Sequence, residues 1–163
     1  MLVTSDTSPI SNLAITDRLN LLRTQFGEIW IPGAVDNELG NLRHPSALAS
    51  IRQALQEGWV KLCPVRGSRV VALLASGLDL GEAEAIALSV ELSADWLLLD
   101  ERAGRSVAEH AGIRVTGVLG ILLRAKQRGQ ISVVKPELEA LRRRARFFIA
   151  SRLEEQILRS SGE

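Results

Sequence analysis

Acidic residues standing where strands end and helices begin are the chemically suggestive feature of this chain. Asp6 closes the apolar start Met1-Leu2-Val3, and Asp100 closes Trp96-Leu97-Leu98-Leu99. On an open α/β sheet, ligands bind beyond the carboxyl ends of the strands, so an acid that stops a buried strand is aimed at that crevice. Glu38, Glu82 and Glu84 fall on predicted helices between the two strand ends. Carboxylates are the hard oxygen ligands that Mg2+ or Mn2+ takes, a few at a time, keeping waters for substrate and nucleophile. Asp6, Glu38, Glu82 and Asp100 could supply such a site.

Each acid also has a plain structural alternative. Asp6 could cap the following helix, Glu38 and Glu82 could be solvated, and Asp100 could begin a turn; one shared site accounts for all four together. Glu82 and Glu84 lie two apart, about 200° around a helix, so only one can face the site. Asp100 and Glu101 pose the same choice, and the residue that ends the strand, Asp100, is better placed. Arg102 and Arg105 sit one turn apart on the next helix, where a guanidinium could meet a phosphate or simply neutralise the acids. Other chemistries are poorly served. One Cys and two separated histidines, His44 and His110, give no zinc spacing, and both histidines are expected at the surface. No phosphate-binding or dinucleotide glycine pattern is present; Gly117-Val118-Leu119-Gly120 is too short and reads as helix packing.

The elements that must position these residues alternate. After the first strand, Thr7-Ser8-Pro9 starts a helix, with Pro9 suited to the first turn. A second helix is expected from Thr16 to Gln25, with Leu19, Leu22 and Phe26 at helical spacing and Gly27 as its stop. Glu28 to Ile31 reads as a strand, and Val35 and Leu39 mark a short helix carrying Glu38. A helix over Ser46 to Glu57 stops at Gly58, a strand or extended segment covers Trp59 to Val65, and a short helix lies between Arg66 and Gly77. The small-residue run Gly81 to Leu88 allows close helix packing before the Trp96 to Asp100 strand. Beyond it come a helix over Arg102 to Ala111 capped by Gly112, a strand at Ile113 to Val115, a helix over Val118 to Arg128, a strand at Ile131 to Val134, and helices from Pro136 and Ser151. Such alternation indicates an α/β fold with a mostly parallel sheet covered on both faces.

Length and composition set the outer bounds. A chain of 163 residues fits a single domain over 1–163 and can bury a proper core. With 46% hydrophobic and 24% charged residues it has a globular composition, and no apolar run approaches the roughly 20 residues that cross a bilayer. The start of the chain shows no signal-peptide pattern, so a cytoplasmic location is expected. Cys63, alone in an apolar run, is expected to be a buried small hydrophobe. The formal net charge of +1 is unevenly spread: residues 124–163 carry ten Lys or Arg against five Glu, leaving ten against fourteen for the rest. A basic segment beside an acidic site is how a metal nuclease can hold a phosphate backbone, although a solvated helix face would read the same way.

In order along the chain, Asp6-Thr7-Ser8-Pro9, Ile31-Pro32-Gly33-Ala34-Val35-Asp36-Asn37-Glu38-Leu39, Gly81-Glu82-Ala83-Glu84-Ala85-Ile86-Ala87-Leu88 and Leu97-Leu98-Leu99-Asp100-Glu101-Arg102 resemble the motifs of PIN-domain nucleases. The resemblance is strongest to a prokaryotic subfamily of predicted nucleic-acid-binding proteins, in which the run at residues 117–126 also recurs in similar form. It extends over nearly the whole chain, and it implies a three-layer α/β/α fold and Mg- or Mn-dependent hydrolysis of phosphodiesters, mostly of RNA, leaving a 5′-phosphate and a 3′-hydroxyl. Carried residue by residue, it places the family's acids on Asp6, Glu38, Glu82 and Asp100, with Ser8 or Thr7 as the accompanying hydroxyl. At the third position this chain has glutamate where aspartate is more usual, and Val118 stands where related sequences often have Thr. The resemblance further implies that the chain could be the toxin of a toxin–antitoxin pair, with an antitoxin protein as partner and a homodimer as its assembly. Two competing classes are a nucleic-acid-binding module of the same fold that does not cleave, and a phosphotransfer protein using Asp6 as nucleophile. The second lacks the closely following second Asp of the common phosphatase pattern.

Overall fold

The computed structural model describes residues 1–163. In chain order it contains β1 (Val3–Ser5), α1 (Thr7–Ile15), α2 (Asn20–Phe26), β2 (Ile29–Ile31), α3 (Gly33–Gly40), α4 (Pro45–Glu57) and β3 (Val60–Leu62). There follow α5 (Ser68–Ala75), α6 (Leu80–Glu91), β4 (Trp96–Leu98), α7 (Arg102–His110), β5 (Val115–Thr116), α8 (Val118–Gln127), α9 (Lys135–Arg144) and α10 (Ser151–Ser160). No helix is long and apolar enough to cross a membrane.

The five strands form one sheet in the order β3-β2-β1-β4-β5, and every pairing is parallel. Short central strands buried on both faces read as continuous apolar runs, and successive side chains go to opposite sides. On β4 and just past it this alternation is explicit. Leu98 enters the larger core cluster, with Ile10, Leu22, Val35, Ile51 and Leu122, whereas Leu97 and Leu99 enter a smaller one with Ile86, Ala108 and Ile113. Helices α1–α4, α8 and α9 supply the first layer and α6 and α7 the second, giving the three-layer α/β/α arrangement. Order reverses between β1 and β4, which is where such sheets open a crevice at their carboxyl ends. The Asp6 N–H donates to Leu98 O at 2.9 Å, so the acids that follow β1 and β4 start from adjacent strands.

Several expected elements shift. The helix expected from Thr16 to Gln25 begins instead at Asn20, because α1 continues through Ile15 and closes on Thr16 and Asp17. The Asp17 and Arg18 N–H groups return to Ala14 O and Leu13 O at 3.2 and 2.7 Å, with Asp17 at φ 59°. That is the two-bond helix ending usually built on a left-handed glycine, here built on aspartate. Arg18 then locks the corner to α9 through a two-pronged ion pair with Glu137 at 2.9 and 2.7 Å. Ile131 to Val134 is not a strand. Ile131 and Val134 are buried in the main core, Val133 is exposed, and the Ile131 and Val134 N–H groups are held by Ala125 O and by Glu163 rather than by a neighbouring strand. Cys63 is half-buried rather than buried, because it follows the edge strand β3, whose last residue, Leu62, is itself exposed. His44 is half-buried and caps α4, its Nδ1 accepting from the Ala47 N–H at 3.2 Å.

Candidate active site

Asp6 leaves β1 in extended conformation, φ −77° and ψ 175°, and stands at the N-cap of α1 without its side chain capping the helix. It is only 4% exposed, and its Oδ1 is buried with no hydrogen-bond partner. An ionised carboxylate in that position is costly. Burial, offset in part by the Thr7 N–H and reinforced by the negative charges of Asp79, Glu82 and Glu38, pushes its pKa up to about 7. Asp6 therefore faces acids from α3 and from the start of α6.

Glu82 is fixed by the local sequence. Asp79 caps α6 by accepting from the Glu82 N–H at 2.9 Å, and Glu82 Oε2 returns to the Asp79 N–H at 3.2 Å, the reciprocal capping box expected of Asp-x-x-Glu at a helix start. That uses one carboxylate oxygen and leaves the other, Oε1, buried and unpartnered. Burial again raises the pKa, the Asp79 N–H opposes it, and the Asp79 and Glu101 carboxylates add to it. The first turn of α7 lies close against this group: a Cβ on Gly104 would sit 2.9 Å from Glu82 Oε1.

Asp100 is held by both oxygens. Ser8 Oγ donates to Oδ2 at 3.0 Å, and the Val118 N–H at the start of α8 donates to Oδ1 at 2.7 Å. Burial raises its pKa, while those two bonds and the nearby Arg105 guanidinium pull it down. Because a backbone N–H makes the contact, Val118 serves here without a hydroxyl. Gly117 permits the approach, since a Cβ there would collide with Asp100 Oδ1 and lie 3.1 Å from Arg105 Nη1.

Glu38 is exposed, accepts a hydrogen bond from Thr7 Oγ1, and rests over Gly81, whose added Cβ would be 2.6 Å from Glu38 Oε1. Thr7 and Ser8 thus divide the hydroxyl role, one serving Glu38 and the other Asp100. Glu84 points elsewhere: its Oε2 accepts from the Ala34 N–H at 2.7 Å, at the start of α3. Glu101 is an exposed N-cap residue of α7 that makes no capping bond. Arg105 donates to Leu99 O at 3.3 Å beside Asp100, and Arg102 is exposed; both line a groove that includes Asp100.

Sequence reasoning missed two residues of this constellation. Asp79 was legible through its capping spacing to Glu82. Asn12 was not, because its role, donating to Ser8 Oγ at 3.0 Å, depends on the turn of α1 that carries both.

With these side-chain positions, no three His, Cys, Asp or Glu residues converge into a ready-made metal cage. The donor chemistry nevertheless suits a hard divalent cation. Three buried side-chain polar atoms in the protein lack a partner, and two of them are Asp6 Oδ1 and Glu82 Oε1. Buried carboxylate oxygens left unpaired are expensive unless something cationic completes them.

A family model described as a PIN domain matches residues 2–163. No curated protein matches the chain.

Proposed function

Because the chain belongs to the PIN-domain family, whose members are in general nucleases that use divalent metal ions, we propose that it is an Mg- or Mn-dependent ribonuclease acting through Asp6, Glu38, Glu82 and Asp100. The observation that carries this reading is the pair of unpartnered buried oxygens on Asp6 and Glu82, which belong to different elements and stand at the sheet's switch point. Asp6 and Glu82 would be the principal ligands, with Glu38 and Asp100 completing the set. When bound there, the ion supplies a water of lowered pKa and offsets charge on the scissile phosphate. The chain's own part is positioning. Ser8 and the Val118 N–H fix the Asp100 carboxylate, the capping box fixes Glu82, and Arg102 and Arg105 hold the phosphate as paired donors do. Glu84 in this reading caps α3 and does not bind the ion.

The same reading extends to a cytoplasmic toxin restrained by an antitoxin protein and working as a homodimer. Its support is the helix α5, which buries none of its residues and leaves Val70 and Leu73 exposed, an apolar face suited to another chain.

The test is cleavage of end-labelled RNA by wild type and by Asp6→Asn, with Mg2+, with Mn2+ and with EDTA. Metal-dependent cleavage by wild type, lost in Asp6→Asn, is expected. Binding without cleavage under every metal condition would replace this reading with that of a non-cleaving nucleic-acid-binding module.

A further inference from the structure

A groove of about 910 Å³ runs away from Asp100 between α7, α8 and the segment leading into α10. Arg102 and Arg105 stand on it beside Asp100, its apolar lining includes Leu119 and Leu123, and Glu109 is the only other acid in its lining. At its rim the pair Phe147-Phe148 splits. Phe147 packs against the main core, while Phe148, at 85% exposed, is the most exposed large apolar side chain in the protein. Leu153 in the same lining is also exposed, at 42%, so the ring belongs to an apolar patch along the groove, and such patches mark surfaces that something else covers. Next to the lining residues Phe147 and Leu153 in the chain, Arg146 and Arg152 are exposed and in no ion pair.

Cations along an apolar trough with a free aromatic ring at its edge match a single-stranded polynucleotide, whose phosphates take the cations and whose base faces stack on the ring. A duplex hides those faces inside its own stack. We propose that this groove seats the single-stranded RNA flanking the scissile phosphate, with the backbone against Arg102 and Arg105 and one base stacked on Phe148. The position of the strand relative to the cut rests on the nuclease reading; the stacking does not.

Binding is measured by fluorescence anisotropy in EDTA, where no cleavage intervenes, with a short labelled RNA, the same RNA as a duplex, and a strand of equal length lacking bases. Phe148→Ala is expected to weaken the single strand by roughly 5- to 150-fold, to leave the abasic strand unchanged, and to be rescued by Phe148→Trp. Arg102→Ala is expected to weaken both strands alike. Because Phe148 is exposed, its replacement leaves the core intact. The proposal is overturned if Phe148→Ala binds the single strand as wild type does, if the duplex or the abasic strand binds wild type as tightly as the RNA, or if wild type binds no single-stranded RNA, which would hand the groove to a protein segment. Should the stacking signature be present without any metal-dependent cleavage, the nuclease reading falls and the groove stands; cleavage without the signature removes the groove alone.

Discussion

Ser8 Oγ lies 3.0 Å from Asp100 Oδ2, joining the first turn of α1 to the residue beyond β4 across 92 residues of chain. The hydroxyl is itself oriented by the Asn12 side-chain amide, and the Val118 N–H takes the other oxygen of Asp100. Asp100 is consequently a carboxylate whose direction is set by the protein, whereas Asp6 and Glu82 each keep one oxygen unspent. Preset direction and unsatisfied charge are different contributions to one site, and they can be separated experimentally.

Ser8→Ala removes the donor to Asp100 and the acceptor of Asn12, leaving a buried amide N–H unpartnered. An orphaned buried donor costs about 1–3 kcal/mol, so the variant should melt several degrees below wild type. Cleavage and metal affinity should each fall on the order of ten-fold, since Ser8 orients the proposed ligand Asp100 without supplying a ligand itself. Unchanged cleavage with the expected loss of stability would reduce Ser8 to a structural role.

The backbone of this arrangement was largely visible in the residues. Trp96 to Leu99 marks a strand that stops at Asp100, because a buried parallel strand is apolar and an acid cannot continue it. The mark at Asp6 is weaker, since β1 is Val3-Thr4-Ser5, with two polar side chains buried through hydrogen bonds to Ser89 and to Asp6 O. Gly27 and Gly58 marked helix ends through their positive φ of 78° and 81°. What stayed hidden depended on contacts between elements. Nothing in the sequence distinguishes Ile131 to Val134 from a strand, because two buried residues at spacing three serve a turn under α8 and α9 equally well. Asp17 ends α1 in a conformation that a pattern search assigns to glycine. Choosing Glu82 over Glu84 by observation requires seeing the Ala34 N–H at Glu84 and none at Glu82 Oε1.

The raised pKa of Asp6 gives a pH dependence with a definite sign. In the unfolded chain the carboxyl ionises near its ordinary 3.8, and in the folded protein near about 7. Between those values the unfolded state has released a proton that the folded state keeps, so stability falls as pH rises through that window and levels off above it. At 1.36 kcal/mol per unit the full span is on the order of 4 kcal/mol. Asp6→Asn should lose that slope and exceed metal-free wild type in stability at pH 8. Mn2+, which needs the ionised form, should raise the wild-type Tm more at pH 8 than at pH 5 and have little effect on Asp6→Asn. Identical melting curves for the two proteins across this range would place the perturbed group elsewhere.

Gly117→Ala and Gly81→Ala test close approach at two acids of unlike freedom. At position 117 the new methyl meets the fixed Asp100 Oδ1 and the Leu99 carbonyl at 3.3 Å, neither of which can move without breaking bonds. At position 81 its three nearest neighbours are all at the end of the exposed Glu38 side chain, which can swing aside. Gly117→Ala should therefore destabilise by about 1–3 kcal/mol and abolish most cleavage. Gly81→Ala should remain folded, gaining helix propensity, and lose activity only to the extent that Glu38 is displaced. Calorimetry beside single-turnover cleavage resolves the two, and equal effects at both positions would contradict the rigidity assigned to Asp100.

Glu82 and Glu84 separate by paired glutamine substitutions. Glu82→Gln keeps an oxygen and an amide in the capping box, where Gln is as suitable as Glu, and removes a charge whose burial is unfavourable. It should fold as stably as wild type or more so, yet lose metal-dependent cleavage by on the order of 100-fold or more. Glu84→Gln can still accept from the Ala34 N–H but withdraws a negative charge from the start of α3, a loss of about 0.3–1 kcal/mol, and should cleave normally. Isothermal titration with Mn2+ completes the comparison: heat of binding should disappear in Glu82→Gln and persist in Glu84→Gln. The reverse pattern would move the metal ligand to Glu84 and make the unpaired oxygen of Glu82 a feature of the helix cap alone.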